Sequence, residues 1–483
     1  MALEGLSPRL LWQHFEEMTK LPHESGNEAA MAAYLSEYAQ KKGWKVEKDR
    51  TGNLLVRVPA SPGHEGAPVV ILQGHMDMVC EKNSDVEHDF LKDPLKLQLV
   101  GDWVKASGTT LGADNAIGMA ASLAAAEDRS VVHGPLELLF TVDEEVGLTG
   151  AGKIGKGWLK GRTMLNLDSE EIGVFTVGCA GGGDTTIRLP ITRRNAPRGA
   201  VALDVKVAGL RGGHSGIDIH EQRGNSNRVL ARVLRSGAEK TRIFIAAVNG
   251  GSKRNAIPRE SEALVLVPKD KKRVFMNAVA KEEAIAKSEL AKIDPGLKVT
   301  ITAVDEKPAK VLDSDSVKKV LDLLLALPHG VELMSYEIAG LVETSTNLAM
   351  VHLEPRTLVV GMSTRSSVSS ALEALRNRID AVVALAGGKV EKNKPYPGWQ
   401  PNLGSGLLKV AKEVHRREFG EAAKVEACHA GLECGIIGEK FGGMDMLSFG
   451  PTIQNPHSPD ERVNAPSVES FWKFLVALLA ELA

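Results

Sequence analysis

Residues 134–151 read GPLELLFTVDEEVGLTGA, an apolar run that stops abruptly at three consecutive acids, Asp143, Glu144 and Glu145. A continuous apolar run of this length is typical of a strand that is buried on both faces of a parallel sheet. Three like charges at the end of such a strand repel one another, and bound cations would offset that repulsion. The stretch predicts a buried strand with concentrated negative charge at its end, but alone it does not predict a metal site.

Two further stretches predict buried strands, and helical patterns lie between the strands. Residues 67–74 (APVVILQG) and 162–168 (RTMLNLD) are the strand candidates, and residues 114–128 form an Ala-rich helical pattern with Asp114 at its start. Strands that alternate with helices in this way predict an α/β fold, with a mostly parallel sheet flanked by helices.

The middle of the chain has a different pattern. From about residue 185 apolar and polar residues alternate, as in AVALDVKVAGL (200–210), which predicts antiparallel strands of an inserted α+β lid domain. The α/β pattern returns after a stretch rich in proline and turn-forming residues. We expect residues 1–184 and 395–483 to form one catalytic domain, and residues 185–394 to form the inserted lid domain.

Composition narrows the class of protein. The chain has 483 residues, a formal net charge of −2, 43% hydrophobic residues and four cysteines without CxxC spacing. Near-neutral charge argues against a nucleic-acid partner. The sequence shows neither a secretory leader nor an apolar stretch long enough to span a membrane. These features predict a cytoplasmic protein with reduced thiols and without a membrane partner.

Five short stretches place histidines or carboxylates at predicted strand ends, helix starts or loops. They are QGHMDMV (73–79), LGADNAIG (111–118), TVDEEVGLTGA (141–151), NLDSEE (166–171) and NPHSPDERV (455–463). Alone, each has an ordinary explanation: Asp114 reads as a helix N-cap, and His75 as a polar residue at a strand end. Together they would meet beyond the carboxyl ends of one sheet, where open α/β folds bind ligands. Imidazole and carboxylate ligands without thiolate suit Zn²⁺, with Mn²⁺ or Co²⁺ possible.

These stretches occur in the order found in the co-catalytic zinc peptidases that include carboxypeptidase G, peptidase T, carnosinase and aminoacylase, and the sequence resembles that family over essentially its whole length. The resemblance implies a zinc exopeptidase-like catalytic domain that holds two Zn²⁺ ions. The implied metal ligands are His75, Asp114 (bridging), Glu145, Asp168 and His457. It also implies that Asp77 orients His75 and that Glu144 is the general base.

The resemblance extends to stretches that would contact the substrate. RGGHSG (211–216) places His214 where the family has a lid histidine that stabilises the oxyanion and that, in dimeric members, comes from the neighbouring subunit. Asn255 and Arg365 correspond to residues that bind the substrate carboxylate. HAGLECG (429–435) resembles a substrate-contacting loop, with Gly431 and Glu433 as contacts. From the residues alone, His214 would be a surface loop histidine.

The implied function is hydrolysis of short peptides. Asp168 at the fourth ligand position favours, by analogy, dipeptides with a free amino terminus, either of the Xaa-His type or of broad specificity. The resemblance also implies a homodimer whose inserted domain serves for dimerisation. The alternatives are an N-acyl amino acid deacylase or carboxypeptidase on the same scaffold, a metal-dependent phosphatase, and a catalytically silent binding or regulatory homologue. Asp143 is left with a helix-start or turn role.

Overall fold

The computed structural model describes residues 3–483, which divide into two compact units. The first unit comprises the described residues up to Cys179 together with Trp399–Ala427 and Leu432–Ala483. The second comprises Ala180–Gly398 and Cys428–Gly431. The five stretches with candidate metal ligands all belong to the first unit.

The secondary-structure elements follow one another in three stretches of the chain. Up to Cys179 they are α1 (Arg9–Met18), α2 (Ala29–Lys41), β1 (Lys45–Lys48), β2 (Leu54–Val58), β3 (Val70–His75), β4 (Leu97–Val100), β5 (Trp103–Ala106), α3 (Ala113–Glu127), β6 (Leu136–Thr141), α4 (Glu144–Gly147), α5 (Thr149–Lys153), β7 (Thr163–Asn166) and β8 (Val174–Cys179). The middle stretch has β9 (Gly181–Pro190), β10 (Arg193–Asn195), β11 (Ala200–Ala208), β12 (Gly213–His214), α6 (Ser226–Lys240), β13 (Phe244–Gly250), β14 (Ala256–Ile257), β15 (Ser261–Pro268), α7 (Lys272–Leu290), β16 (Lys298–Val304), β17 (Lys310–Leu312), α8 (Ser314–Ala326), β18 (Gly330–Met334), β19 (Val342–Leu353), β20 (Thr357–Ser366), α9 (Ser369–Leu385) and β21 (Lys389–Lys392). The last has α10 (Gly406–Phe419), β22 (Lys424–Cys428), α11 (Glu433–Phe441), β23 (Asp445–Ser448), β24 (Ile453–Gln454), β25 (Arg462–Asn464) and α12 (Ala465–Glu481). Within residues 3–483, none of the helices has both the length and the apolar character needed to cross a membrane.

An eight-stranded sheet organises the first unit, in the order β1-β2-β6-β3-β7-β23-β8-β22. The four central strands, β6, β3, β7 and β23, run parallel, whereas β2 pairs with β6 and β8 pairs with β23 in antiparallel fashion. Every residue of β3 and β6 is buried, as their continuous apolar sequences predict. The α/β class is therefore confirmed, and the parallel pairing applies to the centre of a mixed sheet.

Helix α3 packs unusually close to the central strands because two glycines leave room for it. A β-carbon on Gly118 would lie 2.4 Å from the carbonyl oxygen of Leu167, and one on Gly74 would lie 2.1 Å from Asn115 Oδ1. A larger residue at Gly118 would require the backbone to shift, and one at Gly74 would require the Asn115 side chain to move. The close packing brings the start of α3, with Asp114, to the ends of β3 and β7.

The second unit is built on a nine-stranded antiparallel sheet. Its main path is β16-β11-β15-β13-β19-β20-β9-β21, and β18 pairs with β19 beside this path. Helices α6, α8 and α9 pack on strands of the sheet, and α7 packs on α6 and on strands at the β16 side. Val, Leu and Ile side chains fill the core between them. The alternating pattern of this part of the sequence predicts such an antiparallel α+β arrangement.

We expect Gly118→Ala to destabilise the protein, because the new methyl group would overlap the Leu167 carbonyl oxygen. The free energy of unfolding should fall by about 1–3 kcal/mol, the usual cost of overpacking a core. Chemical denaturation of the variant and the parent measures the difference. Gly152→Ala is the matched control, because a β-carbon there meets no atom of residues 3–483 within 4 Å. Equal stability of the two variants would contradict this account of the helix packing.

Candidate metal centre

The candidate ligands lie where parallel strands end side by side. His75 is the last residue of β3, Asp168 follows β7, and Glu144 and Glu145 begin α4 shortly after β6. His457 lies in the loop between β24 and β25, with a left-handed φ of 60°. Parallel pairing thus gathers residues far apart in the sequence at one edge of the sheet.

Asp114 reaches this edge because the chain leaves helical geometry at the start of α3. Its dihedral angles are φ −81° and ψ 103°, and those of Asn115 are also non-helical. The Asn115 side chain donates a hydrogen bond from Nδ2 to the Leu167 carbonyl oxygen, at 2.6 Å. The regular helix therefore begins beyond Asn115, and the Asp114 side chain is available to the site.

The carboxylate of Asp114 stands between two histidines. Its Oδ1 lies 3.0 Å from His75 Nε2, and its Oδ2 lies 3.2 Å from His457 Nε2. His75 Nε2 is also 3.2 Å from Asp168 Oδ1, and His457 Nε2 is 2.9 Å from Glu145 Oε1. The five residues thus form two neighbouring groups that share one carboxylate, as a bridging ligand requires.

Three overlapping sets of side chains bring potential ligand atoms within 4.8 Å of one another. They are His75, Asp114 and Asp168; Asp114, Glu145 and His457; and His75, Glu144 and Glu145. The structure therefore brings together every residue that the sequence analysis named as a metal ligand, together with the predicted general base. The ligand roles themselves stay predictions.

The hydrogen bonding of His75 fits a cation at this centre. Its Nδ1 lies 2.9 Å from the main-chain carbonyl oxygen of Asp77, which can only accept, so Nδ1 carries a proton. In the neutral ring, Nε2 then presents a lone pair to the oxygens of Asp114 and Asp168. Asp168 Oδ1 and Glu145 Oε1 are buried, and each lies near a histidine Nε2, that of His75 at 3.2 Å and that of His457 at 2.9 Å. A cation between these atoms would satisfy all of them.

The charges of the site are crowded when no cation compensates them. Burial raises the pKa of Asp168 to about 7, and burial also raises the pKa of Glu144 and of Glu145. Hydrogen bonds to Asp114 and Glu145 raise the pKa of His457 to about 11. A bound metal would favour the ionised carboxylates and the neutral imidazole, so metal binding should release protons.

Asp77 holds the turn that carries Glu144 and Glu145. Its carboxylate accepts hydrogen bonds from the main-chain N–H groups of Glu144 at 3.0 Å and Glu145 at 3.2 Å, and from Ser25 Oγ at 2.7 Å. The same carboxylate lies 3.5 Å from His75 Nδ1, farther than the Asp77 carbonyl oxygen. The carboxylate of Asp77 thus fixes the turn with Glu144 and Glu145, whereas its main-chain oxygen makes the closer contact with His75. A role of the Asp77 carboxylate in orienting His75 stays a prediction.

Asp143 occupies the turn between β6 and α4. It has a left-handed φ of 56°, and its side chain makes no capping hydrogen bond to α4. Its N–H donates to Glu28 Oε1 at 3.0 Å, and its carbonyl oxygen accepts from the Thr149 N–H at 3.1 Å. The main chain of Asp143, rather than its charge, shapes the turn.

Glu461 is a residue of this site that the sequence analysis missed. Its buried carboxylate accepts hydrogen bonds from four consecutive main-chain N–H groups, those of Leu111 (2.7 Å), Gly112 (3.0 Å), Ala113 (2.8 Å) and Asp114 (3.4 Å). It lies shortly after His457 in the chain, so one side chain ties the His457 segment to the start of α3. The only signal in the sequence was an acid following the histidine in NPHSPDERV.

In the second unit, His214 and Arg365 lie close together. A β-carbon on Gly216 would be 3.1 Å from His214 Cε1, 3.3 Å from Arg365 Nε and 2.5 Å from the His429 carbonyl oxygen. The main-chain oxygen of Asn255 accepts from the Ser215 N–H at 2.8 Å, while the Asn255 side chain is exposed. These predicted substrate contacts therefore belong to one region of the second unit.

The polar atoms of this region are available to a ligand. His214 Nδ1 accepts hydrogen bonds from the N–H groups of Gly216 and Ile217, so the neutral ring carries its proton on Nε2. Burial, followed by the charge of Arg365, lowers the pKa of His214 and favours that neutral form. Arg365 Nε is buried and lacks a hydrogen-bond partner within residues 3–483.

The last two predicted contacts lie on either side of a unit boundary. Gly431 belongs to the short segment Cys428–Gly431 of the second unit. Glu433 begins α11 in the first unit, and its side chain is fully buried. Its carboxylate accepts hydrogen bonds from Gln73 Nε2 and Thr141 Oγ1, both at 2.6 Å.

Comparison with known proteins identifies the family of this chain. The model of peptidase family M20/M25/M40 matches residues 71–481. The chain belongs to this family. The family predicted from the motifs is therefore confirmed.

Two relatives are similar over almost their entire length. The chain is 42% identical over 480 residues to the cytosol non-specific dipeptidase of Escherichia coli K12, covering 99% of each sequence. It superimposes on the crystal structure of aminoacylhistidine dipeptidase from Vibrio alginolyticus with a TM-score of 0.92 and 40% identity, covering 100% of this chain and 98% of the other. This M20/M25/M40 member also shares its fold with aminopeptidase PepT from Bacillus cereus. The two chains are 16% identical, with a TM-score of 0.57 and 99% coverage of both.

We expect Glu461→Gln to weaken metal binding, because its amide group cannot accept from all four N–H groups that now meet the carboxylate. Loss of such support typically lowers metal affinity about 10–100-fold. Competition with a zinc-binding dye measures the affinity, and Glu469→Gln on the exposed face of α12 is the control. Unchanged affinity in Glu461→Gln would show that this carboxylate does not hold the Asp114 segment in place.

Proposed function

We propose that this M20/M25/M40 peptidase is a dipeptidase that hydrolyses dipeptides with a free amino terminus, of the Xaa-His type or of broad specificity. The observation that carries the proposal is the pair of ligand groups joined by the two oxygens of Asp114. Support comes from the full-length similarity to proteins named cytosol non-specific dipeptidase and aminoacylhistidine dipeptidase. The name of the first relative also supports a cytoplasmic location.

The side chains suit two Zn²⁺ ions, with Mn²⁺ or Co²⁺ as alternatives. His75 and Asp168 would hold one ion, Glu145 and His457 the other, and Asp114 both. When bound, the ions would polarise the scissile carbonyl group and would lower the pKa of a water molecule towards neutrality. Imidazole and carboxylate donors without thiolate are a ligand set that zinc accepts in catalytic sites.

Glu144 is the residue best placed to move protons. It lies beside Glu145 on a turn that the Asp77 carboxylate holds through two main-chain N–H groups. As general base it takes a proton from the attacking water, and as general acid it gives that proton to the leaving amine. Burial, which raises the pKa of Glu144, suits a group that must both accept and release a proton.

The substrate contacts in the second unit follow from the family resemblance and stay predictions. His214 Nε2–H is a neutral hydrogen-bond donor, suited to an oxyanion. Arg365 Nε, which has no hydrogen-bond partner within residues 3–483, suits the substrate carboxylate, for which Asn255 is a further candidate. Gly431 stays a candidate substrate contact of its loop. We also propose a homodimer, which would decide whether His214 serves its own chain or the partner.

A comparison of peptides separates this activity from its alternatives. With zinc or manganese added, the protein should hydrolyse free dipeptides such as Xaa-His and should leave their N-acetylated forms intact. Liquid chromatography of the released amine measures the hydrolysis of both the free and the N-acetylated peptide. Cleavage of only the N-acetylated peptide would instead indicate a deacylase or carboxypeptidase. Zinc binding without hydrolysis of either would indicate a catalytically silent homologue.

The neighbours Glu144 and Glu145 should differ in what their loss removes. Glu144→Gln should lower kcat by about 10²–10⁴-fold, the usual contribution of a positioned general base, and should keep the metal. Glu145→Ala should lose metal, because it removes a predicted ligand. Elemental analysis of the dialysed proteins and turnover of one dipeptide measure the two effects. Near-full activity of Glu144→Gln with metal bound would refute this mechanism.

A further inference from the structure

A row of buried polar side chains crosses the sheet beneath the metal centre. Ser448 Oγ donates to Asn166 Oδ1 at 2.5 Å, Asn166 Nδ2 donates to Gln73 Oε1 at 2.5 Å, and Gln73 Nε2 donates to Glu433 Oε2 at 2.6 Å. Thr141 Oγ1 donates to the same Glu433 oxygen at 2.6 Å. Each of these five side chains is fully buried. The row joins the four parallel strands β23, β7, β3 and β6.

The hydrogen bonds of the row all run in one direction, and Glu433 sets that direction. Its Oε2 accepts twice, so Gln73 must present its amide nitrogen to Glu433 and its amide oxygen to Asn166. Asn166 must then present its nitrogen to Gln73 and its oxygen to the Ser448 hydroxyl. An apolar residue in place of Glu433 would remove this acceptor and leave Gln73 Nε2 with only the longer contact to Thr141 Oγ1, at 3.4 Å. Such a loss costs about 1–3 kcal/mol.

The row lies directly under the ligands. Side chains two residues apart on a strand point to the same face, so Gln73 underlies His75 on β3. Asn166 ends β7, two positions before Asp168, and Thr141 ends β6 just before the turn with Glu144. The links among Asn166, Gln73, Glu433 and Thr141 therefore connect the ends of β7, β3 and β6, which carry residues of the site, and the Ser448 link adds β23.

We propose that Glu433 is a positioning residue, which terminates this row and thereby holds the strand ends at the spacing that the metal ligands require. It acts through Gln73 and Thr141 and does not touch the substrate. The inference rests on the proposed function, because the ligands that it positions are those of the proposed dipeptidase. It gives Glu433 a different role from the substrate contact that its sequence motif suggests.

The surroundings of Glu433 identify glutamine as its conservative replacement. Burial raises the pKa of Glu433 to about 8, which favours the neutral carboxyl group at neutral pH. Glutamine has nearly the shape of that neutral group, and its carbonyl oxygen can accept from both Gln73 and Thr141. Its amide nitrogen would take the place of Oε1, which is buried and has no hydrogen-bond partner within residues 3–483. Methionine has a similar length but cannot accept these hydrogen bonds with comparable strength.

The test compares Glu433→Gln with Glu433→Met in the full-length protein loaded with zinc. Glu433→Met should bind zinc about 10–100-fold more weakly and lose kcat, with little change in KM. Glu433→Gln should stay close to the parent in all three quantities. Glu439→Met, on the exposed face of the same helix α11, is the matched control. Dye competition measures zinc affinity, and dipeptide turnover at saturating zinc measures kcat and KM.

A second variant tests the row from the side of the sheet. Gln73→Met removes the same link, so it should weaken zinc binding to a similar extent, and the double variant with Glu433→Met should add little more. Thermal unfolding checks that each variant is folded. If Glu433→Met does not fold, the zinc affinity of Gln73→Met tests the proposal by itself.

Three results would overturn the proposal. The first is unchanged zinc affinity in both methionine variants, and the second is an additive effect in the double variant. The third is a higher KM with normal zinc affinity in both Glu433→Gln and Glu433→Met, which would make Glu433 a direct substrate contact. A parent protein that binds zinc but cleaves no dipeptide would refute the proposed function instead, and the zinc affinities would still test the positioning role.

Discussion

The Asp114 carboxylate, with one oxygen 3.0 Å from His75 and the other 3.2 Å from His457, is the constraint on which the first unit depends. Two imidazoles and four acids meet there, and they carry too few protons for every lone pair to accept a hydrogen bond. Such a cluster is unfavourable for a folded chain alone and favourable once cations bind. Glu144 and Glu145, two of the three acids at the end of β6, belong to this cluster. Without cations these charges lower the stability of the folded chain at this edge of the sheet, and the same charges allow the site to bind cations.

Carboxylates that hold main-chain N–H groups fix the geometry of this cluster. Asp77 holds the turn with Glu144 and Glu145, Glu461 holds the segment before Asp114, and Glu28 holds Asp143. A charged acceptor on a main-chain N–H is stronger than a neutral one and restrains the backbone itself. The residues that would bind metal thus stand on loops that behave as rigid parts of the scaffold. This rigidity matters because metal ligands tolerate little variation in distance.

The sequence allowed the α/β class, the antiparallel middle region and the grouping of the candidate ligands to be predicted, because each depends on local patterns. Periodicity identified β3 and β6, and the polar residues that follow them marked one edge of a sheet. Such patterns could not predict the antiparallel outer strands, the contacts of Glu461 or the row that ends at Glu433. Glu461 and Leu111 are far apart in the sequence, and only the packed structure brings them together. A single acid after a histidine carries no local signal of that contact.

The buried row of polar side chains gives a reason why the core of this sheet contains groups that are unfavourable to bury. Valine or leucine at Gln73 and Asn166 would pack the sheet without the risk of an unpaired donor, so stability alone does not favour the amides. Hydrogen bonds differ from apolar contacts in that they specify distance and direction. Such directional control would suit a centre whose potential ligand atoms converge within 4.8 Å. The row and the metal centre are therefore best understood as two layers of one site, the lower setting the strand spacing that the upper needs.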